Sequence, residues 1–173
     1  MAIAGRIAIG LAALLLIASA LVLGLRVYFG RTAEDRLRLG EDITIAALRG
    51  PLAPNAFLVC PPGYCAVAEA AASPVFALSA DRLAAYWTEM IAAEPRLLRI
   101  AAEPQQRRSV WLQRSAVFRF PDLVTVEFVA LAPDRSSVAL YSRARYGRYD
   151  FGVNRQRVLR WLSRLQQIAG AAR

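Results

Sequence analysis

Residues Ile7 to Leu25 form an unbroken run of 19 uncharged, almost wholly apolar residues. No other stretch constrains the chain so tightly. Coiled as a helix at about 1.5 Å per residue, the run spans roughly 28 Å, close to the ~30 Å hydrocarbon core of a bilayer. Arg6 and Arg26 bracket it, and Tyr28-Phe29 follow at the level where interfacial aromatics sit. A transmembrane anchor within residues 1–30 is the leading reading. Arg6, the apolar Ile7 to Ile17 and Ala18-Ser19-Ala20 also match a cleavable secretory signal. The apolar run continues past that point through Leu25, so an uncleaved anchor is favoured. No cysteine lies near the run, which excludes a lipoprotein.

The flanking charges do not settle orientation. Arg26, Arg31, Arg36 and Arg38 follow the run and only Arg6 precedes it, so a simple positive-inside count puts the C-terminal side in the cytoplasm. Glu34 and Asp35 dilute that cluster, and the 143 residues after Gly30 make a long domain, which translocates largely regardless of flanking charge. Cys60 and Cys65 flank Pro61-Pro62-Gly63-Tyr64, a sequence able to turn the chain and bring the thiols together. A disulfide there requires an oxidising compartment; two unpaired thiols, one or both buried, are the alternative. The expectation is a single-pass protein of the bacterial inner membrane with a periplasmic C-terminal domain.

The available chemistry is narrow. The chain has no histidine, and all 22 of its basic residues are arginine. Histidine general bases, imidazole zinc sites, lysine Schiff bases and phosphate loops ending in Gly-Lys-Ser/Thr are therefore excluded. Two cysteines are too few for a structural zinc site or an iron–sulfur cluster. No metal and no cofactor is expected.

Residues 31–78 are rich in Ala, Pro and Gly and lack sustained periodicity, so they read as an irregular wrap; only Ile43 to Leu48 suggests a short strand or helical turn. From Ser79 the signals firm up. Ser79 can cap a helix through Leu83, Trp87, Met90 and Ile91, with Asp81 favourable in its first turn and Pro95 as its stop. Strand patterns follow at Leu97 to Ala101, Ser109 to Phe120, Leu123 to Leu131 and Val138 to Arg145. After a Gly-containing loop, Tyr146 to Gly152, a last helix carries Val158, Trp161, Leu162, Leu165 and Ile168 at helical spacing. The expected fold is α+β: an antiparallel sheet of about four strands with helices on one face, residues 79–173 forming the domain and 31–173 one globular unit.

Residues 141–173 hold eight arginines and a single acid, Asp150. A solvated basic face, contact with anionic lipid headgroups and nucleic-acid binding are the candidate explanations. No aromatic-interleaved or helix-turn-helix pattern supports the last, and no nucleic acid is expected. The densest segment runs from Tyr141 to Arg157. Asp150 or Asn154 can cap the final helix, and Gly152 allows a left-handed backbone. The helix mouth, ringed by Arg143, Arg145 and Arg155, is a candidate anion or partner site unless Asp150 itself fills it.

This segment resembles the closing signature of the domain-of-unknown-function 1499 family, Ser-Arg-x-Gly-x-x-Asp-x-Gly-x-Asn-Arg-x-Arg. Ser142, Arg143, Gly147, Asp150, Gly152, Asn154, Arg155 and Arg157 occupy its places, with a one-residue difference in spacing around Arg145. Gln113-Arg114-Ser115 and Phe120-Pro121-Asp122 are similar to the family's strand-and-turn pattern. Pro54-Asn55 followed by Cys60 is similar to a loosened form of its Pro-Asn-Cys element, the cysteine being displaced. The resemblance spans roughly residues 50–169. It implies a fold and an envelope setting, without an activity.

The leading expectation is a non-enzymatic membrane protein whose α+β domain binds a partner protein, a membrane complex or an anionic lipid surface. Trp87 and Trp111 offer contact surface, though core packing is their expected use. The alternative is a small enzyme or anionic-ligand module using Asp122, Glu127 or Asp150 with nearby arginines, but these carboxylates form no recognisable pair in sequence.

Overall fold

The computed structural model describes residues 2–30 and 43–171. Its first element is α1 (Ala2–Gly30), a continuous helix whose leucines and isoleucine from Leu11 to Leu23 are all exposed. Among the described residues it is the one helix long and apolar enough to cross a membrane, a property that secretory signals share.

The described residues beyond it build one mixed sheet of seven strands: β1 (Ala56–Cys60), β2 (Ala71–Ala72), β3 (Val75–Phe76), β4 (Leu97–Glu103), β5 (Arg108–Arg114), β6 (Pro121–Ala132) and β7 (Arg135–Ala144). The order is β2-β1-β7-β6-β5-β4, with β3 also pairing β7, and every pairing is antiparallel except β1 with β2. The fold class is α+β as expected, but the count of about four strands and the all-antiparallel sheet are corrected. The additional strands come from residues 56–76, inside the span expected to be irregular. Strands of two residues carry no period, and β1 is a plain apolar run covered on both faces, so neither leaves an alternating trace. The expected strand over 109–120 also stops at Arg114, because Arg119 takes a left-handed backbone (φ 64°) in the turn that follows.

Two helices cover one face of the sheet: α2 (Ala80–Ala92) and α3 (Val153–Ala171). Ser79 caps α2, its Oγ accepting from Arg82 N at 3.3 Å. Leu83, Trp87, Met90 and Ile91 of α2 meet Val158, Trp161 and Leu165 of α3 over Val124, Val126, Phe128, Val138 and Leu140 of the sheet. Trp87 and Trp161 lie edge to face, ring centres 5.7 Å apart. Trp87 and Trp111 are both core, the use expected of them.

The opposite face carries the alternate residues of the same strands. Leu58, Ala139 and Tyr141 pack under residues 43–70, with Ile45 fully buried in a single 3-10 turn, Ile45–Ala47. The two-sided cover explains why β6 is buried continuously over its first eight residues. Cys60 and Cys65 are joined by a disulfide that closes a tight loop of this cover. Residues 31–42, the first part of the expected wrap, lie outside the described residues.

Candidate functional site

The antiparallel register brings one set of strand ends together: Arg114 opposite Pro121, Asp122 opposite Ala144, Ala56 opposite Arg143, and Leu97 opposite Gln113. The N-terminus of α3, the C-terminus of α2 and the end of α1 lie at this same end of the sheet. Phe29 stacks against Phe120 at 4.6 Å and Tyr146 at 5.3 Å, and its carbonyl accepts a hydrogen bond from Arg114 Nη1.

A closed polar cluster sits beneath. Ser142 Oγ donates to Asn154 Oδ1 and accepts from Arg157 Nη1 at 3.0 Å, while Arg157 Nη1 also donates to Asn154 Oδ1. Arg157 Nη2 reaches Asp122 Oδ2 at 2.6 Å, both side chains almost fully buried. Burial pushes the Asp122 carboxyl above its usual range; the charge of Arg157 opposes this, and Asp150 adds to it. Asn154 Nδ2 donates to the Asn55 carbonyl at 3.0 Å, which also accepts from Ala144 N, and Asn55 Nδ2 donates to the Gly147 carbonyl at 2.6 Å. None of these side chains keeps a buried polar atom without a partner. Ser142 has no accessible surface and no base beside it, so it cannot serve as a nucleophile. The cluster fastens β6, β7, the 146–152 loop and α3 to one another.

Asp150 fills the mouth of α3: its Oδ1 accepts from Gly152 N at 3.0 Å and its Oδ2 from Asn154 N at 2.7 Å. Asn154 faces the core instead. Gly152 has the left-handed backbone its residue type permits (φ 78°), and Phe151, a residue 94% exposed, shares it (φ 55°). The remaining sequence candidates disperse. Arg143 points to the sheet face opposite Ser142. Arg155 lies over the Phe57 ring at 5.7 Å. Arg145 is exposed, as is Arg148, which stacks on Tyr149.

Glu127 is buried separately on the wrapped face. Its carboxylate accepts from Ile45 N and from the Tyr64 hydroxyl, both at 2.8 Å. Burial, the hydrogen bond to Glu127 and the Glu127 charge all push the Tyr64 hydroxyl above its usual value. Asp122, Glu127 and Asp150 are thus in three different environments and do not form a catalytic pair. Among the described residues, no cluster of three or more potential ligands is placed to hold a metal.

Two basic clefts open at the α1 end. One of about 340 Å³ is lined by Arg96, Gln113, Arg114, Gln156, Arg157 and Arg160; its carboxylate, Glu94, is already engaged by Arg160 at 3.4 Å and Arg164 at 2.5 Å. The other, of about 480 Å³, lies against α1 and shares Arg114. Sequence reasoning missed Arg96 and Arg119, both non-glycine residues with left-handed backbones, which leave no sequence trace. It noted Asn55 only as part of a dipeptide, without its role in tying the loop.

The family model described as "Protein of unknown function (DUF1499)" matches residues 65–165. No curated protein matches the chain, and no solved structure does.

Proposed function

The chain belongs to the DUF1499 family of proteins of unknown function, and from that premise we propose a non-enzymatic, single-pass protein of the bacterial inner membrane whose periplasmic α+β domain holds its basic, aromatic end against an anionic bilayer. The observation that carries this reading is the gathering of α1's exit, the aromatic loops and the arginines at one end of the sheet. Phe151, Tyr149, Tyr146 and Val117 are exposed there, among Arg96, Arg145 and Arg148. Among the described acids at the same end, Glu94, Asp122 and Asp150 are each engaged internally. An exposed apolar ring on a left-handed backbone is costly unless it has a use, and interfacial aromatics beside arginines suit a headgroup layer.

The Cys60–Cys65 disulfide supports an oxidising compartment. The closed Asp122–Arg157–Ser142–Asn154 cluster supports binding over catalysis, because these four groups are buried and paired with one another.

The test is hydrogen exchange of the full chain in lipid nanodiscs of phosphatidylcholine, with and without phosphatidylglycerol. Slower exchange over residues 145–153 is expected when the anionic lipid is present, and the protection should vanish in R145Q/R148Q/F151S. Equal exchange in both nanodiscs would reject the reading.

A further inference from the structure

We propose that Phe151 is a bilayer insertion point: its ring passes the headgroup layer and lies among the acyl chains, giving the domain a second hold on the membrane beside α1. This rests on the membrane-apposed reading above and deepens it from a facing surface to a penetrating residue. The depth follows from α1. Its uncharged run ends at Leu25, and Phe29 lies about one helical turn further on, roughly 6 Å along the axis. A headgroup layer is itself roughly 5–7 Å thick, so Phe29 sits within it. The Tyr146 ring stacks on Phe29, which places the start of the 146–152 loop at the same level.

Within that loop the aromatic residues differ in kind. Tyr146 and Tyr149 carry hydroxyls suited to the polar interface, and Arg148 lies over the Tyr149 ring at 5.7 Å. Phe151 has no polar handle, and it is the most exposed large hydrophobic residue among those described, α1 included. Its backbone is left-handed (φ 55°), a conformation that Asn or Gly takes at less cost. The chain is pinned on both sides of it. Asn55 Nδ2 holds the Gly147 carbonyl at 2.6 Å, and Val153 N donates to the Asp150 carbonyl at 3.1 Å. The Asp150 carboxylate accepts from Gly152 N and Asn154 N, so the charge next to the ring is held by the mouth of α3. A ring held out by a fixed turn loses little conformational freedom on entering the bilayer. Val153, which lines a cleft with Ser115 and Ala116, and Val117 in that adjoining turn are exposed as well, adding apolar surface at the same end.

Photocrosslinking of the full chain in nanodiscs of phosphatidylcholine and phosphatidylglycerol tests the depth. In the variant Phe151→p-benzoylphenylalanine, irradiation should give a phospholipid adduct that keeps a fatty acyl mass after the lipid esters are hydrolysed. The same probe in place of Leu131, exposed at the opposite end of β6, should give none. A glycerophosphate remnant instead of the fatty acyl one, or comparable yields at 131 and 151, overturns insertion. Adducts to protein instead of lipid when native membranes carrying the 151 probe are irradiated also overturn it, because the ring would then fill a partner's pocket. F151N keeps a residue that tolerates the left-handed backbone, so its Tm in detergent should not fall below that of wild type. A lower Tm would show that the ring is packed into the fold, and overturns the proposal. If the 145–153 loop is protected in anionic nanodiscs while no fatty acyl adduct forms, insertion fails and the broader reading stands. If both are absent, both fail.

Discussion

Arg157 touches three pieces of chain at once, and its energetic role follows from what its removal would strand. Without it, the Asp122 carboxylate is left buried and unpaired, and Ser142 and Asn154 lose a donor. Breaking a buried pair from one side typically costs about 3–5 kcal/mol, whereas replacing both partners with apolar groups is far cheaper. R157M should therefore destabilise the domain by about 3–5 kcal/mol in urea denaturation, and D122L/R157M should recover much of the loss. The pH dependence carries a definite sign. Asp122 already has a raised value in the native state, so its folded form takes up a proton more readily than its unfolded form. Its contribution to stability is complete below the ordinary value of 3.8 and declines as pH rises through the higher native value. Losing Arg157 removes the opposing charge and lifts that value further. The R157M penalty should accordingly be smaller at pH 4.5 than at pH 7.5; equal penalties would contradict the account. At this scale the sequence was only partly legible. The density of polar residues from Ser142 to Arg157 is plain, and either Asp150 or Asn154 suits a cap. What decides between them is that Asn154 must meet Asn55, 99 residues away, and no local spacing encodes that contact.

Among the elements, α2, α3 and β4 to β7 were readable because one apolar face recurs at 3.6 or 2 residues, as the shared core of Leu83, Trp87, Val158, Trp161, Val124 and Val126 shows. The cover over residues 43–76 was not. It is held by a few specific attachments instead of a repeating face: Glu127 to Ile45 N and the Tyr64 hydroxyl, the disulfide, and short pairings to β1 and β7. Such an element should open separately from the rest. Closing so short a loop contributes about 2 kcal/mol in the chain-entropy model. Reduction of Cys60–Cys65 should therefore accelerate hydrogen exchange over residues 58–67 and leave β5 to β7 protected. Uniform acceleration across the sheet would show that the cover is integral to global stability. The raised Tyr64 hydroxyl adds an alkaline counterpart. Its contribution to stability is present below the ordinary value of 10.0 and is lost as pH rises above it, so the cover should loosen above pH 10 in wild type and lose that dependence in Y64F.

For the whole molecule, the net charge of +9 acquires a direction. Antiparallel pairing sends alternate strands to opposite ends, yet Arg114 at the end of β5 and the loop residues Arg96, Arg119, Arg145 and Arg148 all fall at one end, the end where α1 leaves. The same placement sharpens the question of topology. Counting charges beside the apolar run favours a cytoplasmic domain, since Arg26, Arg31, Arg36 and Arg38 follow it. That count applies to short loops, and a domain of this length translocates largely independently of it. The disulfide adds an argument the count ignores, because Cys60 and Cys65 stay joined where thiols are not kept reduced. A basic end held to the membrane is compatible with either side, so the prediction must rest on the redox argument. An alkaline phosphatase fusion after Arg173, itself active only when its disulfides form, should be active in intact cells. A matched fusion to a reporter that is fluorescent only in the cytoplasm should be dark. Activity should survive in C60S/C65S, since the disulfide is a consequence of the compartment and not its signal. An expressed but inactive phosphatase fusion with a bright cytoplasmic partner would place the domain inside, and the arginine cluster after the apolar run would then be read as the retention signal its charge count suggests.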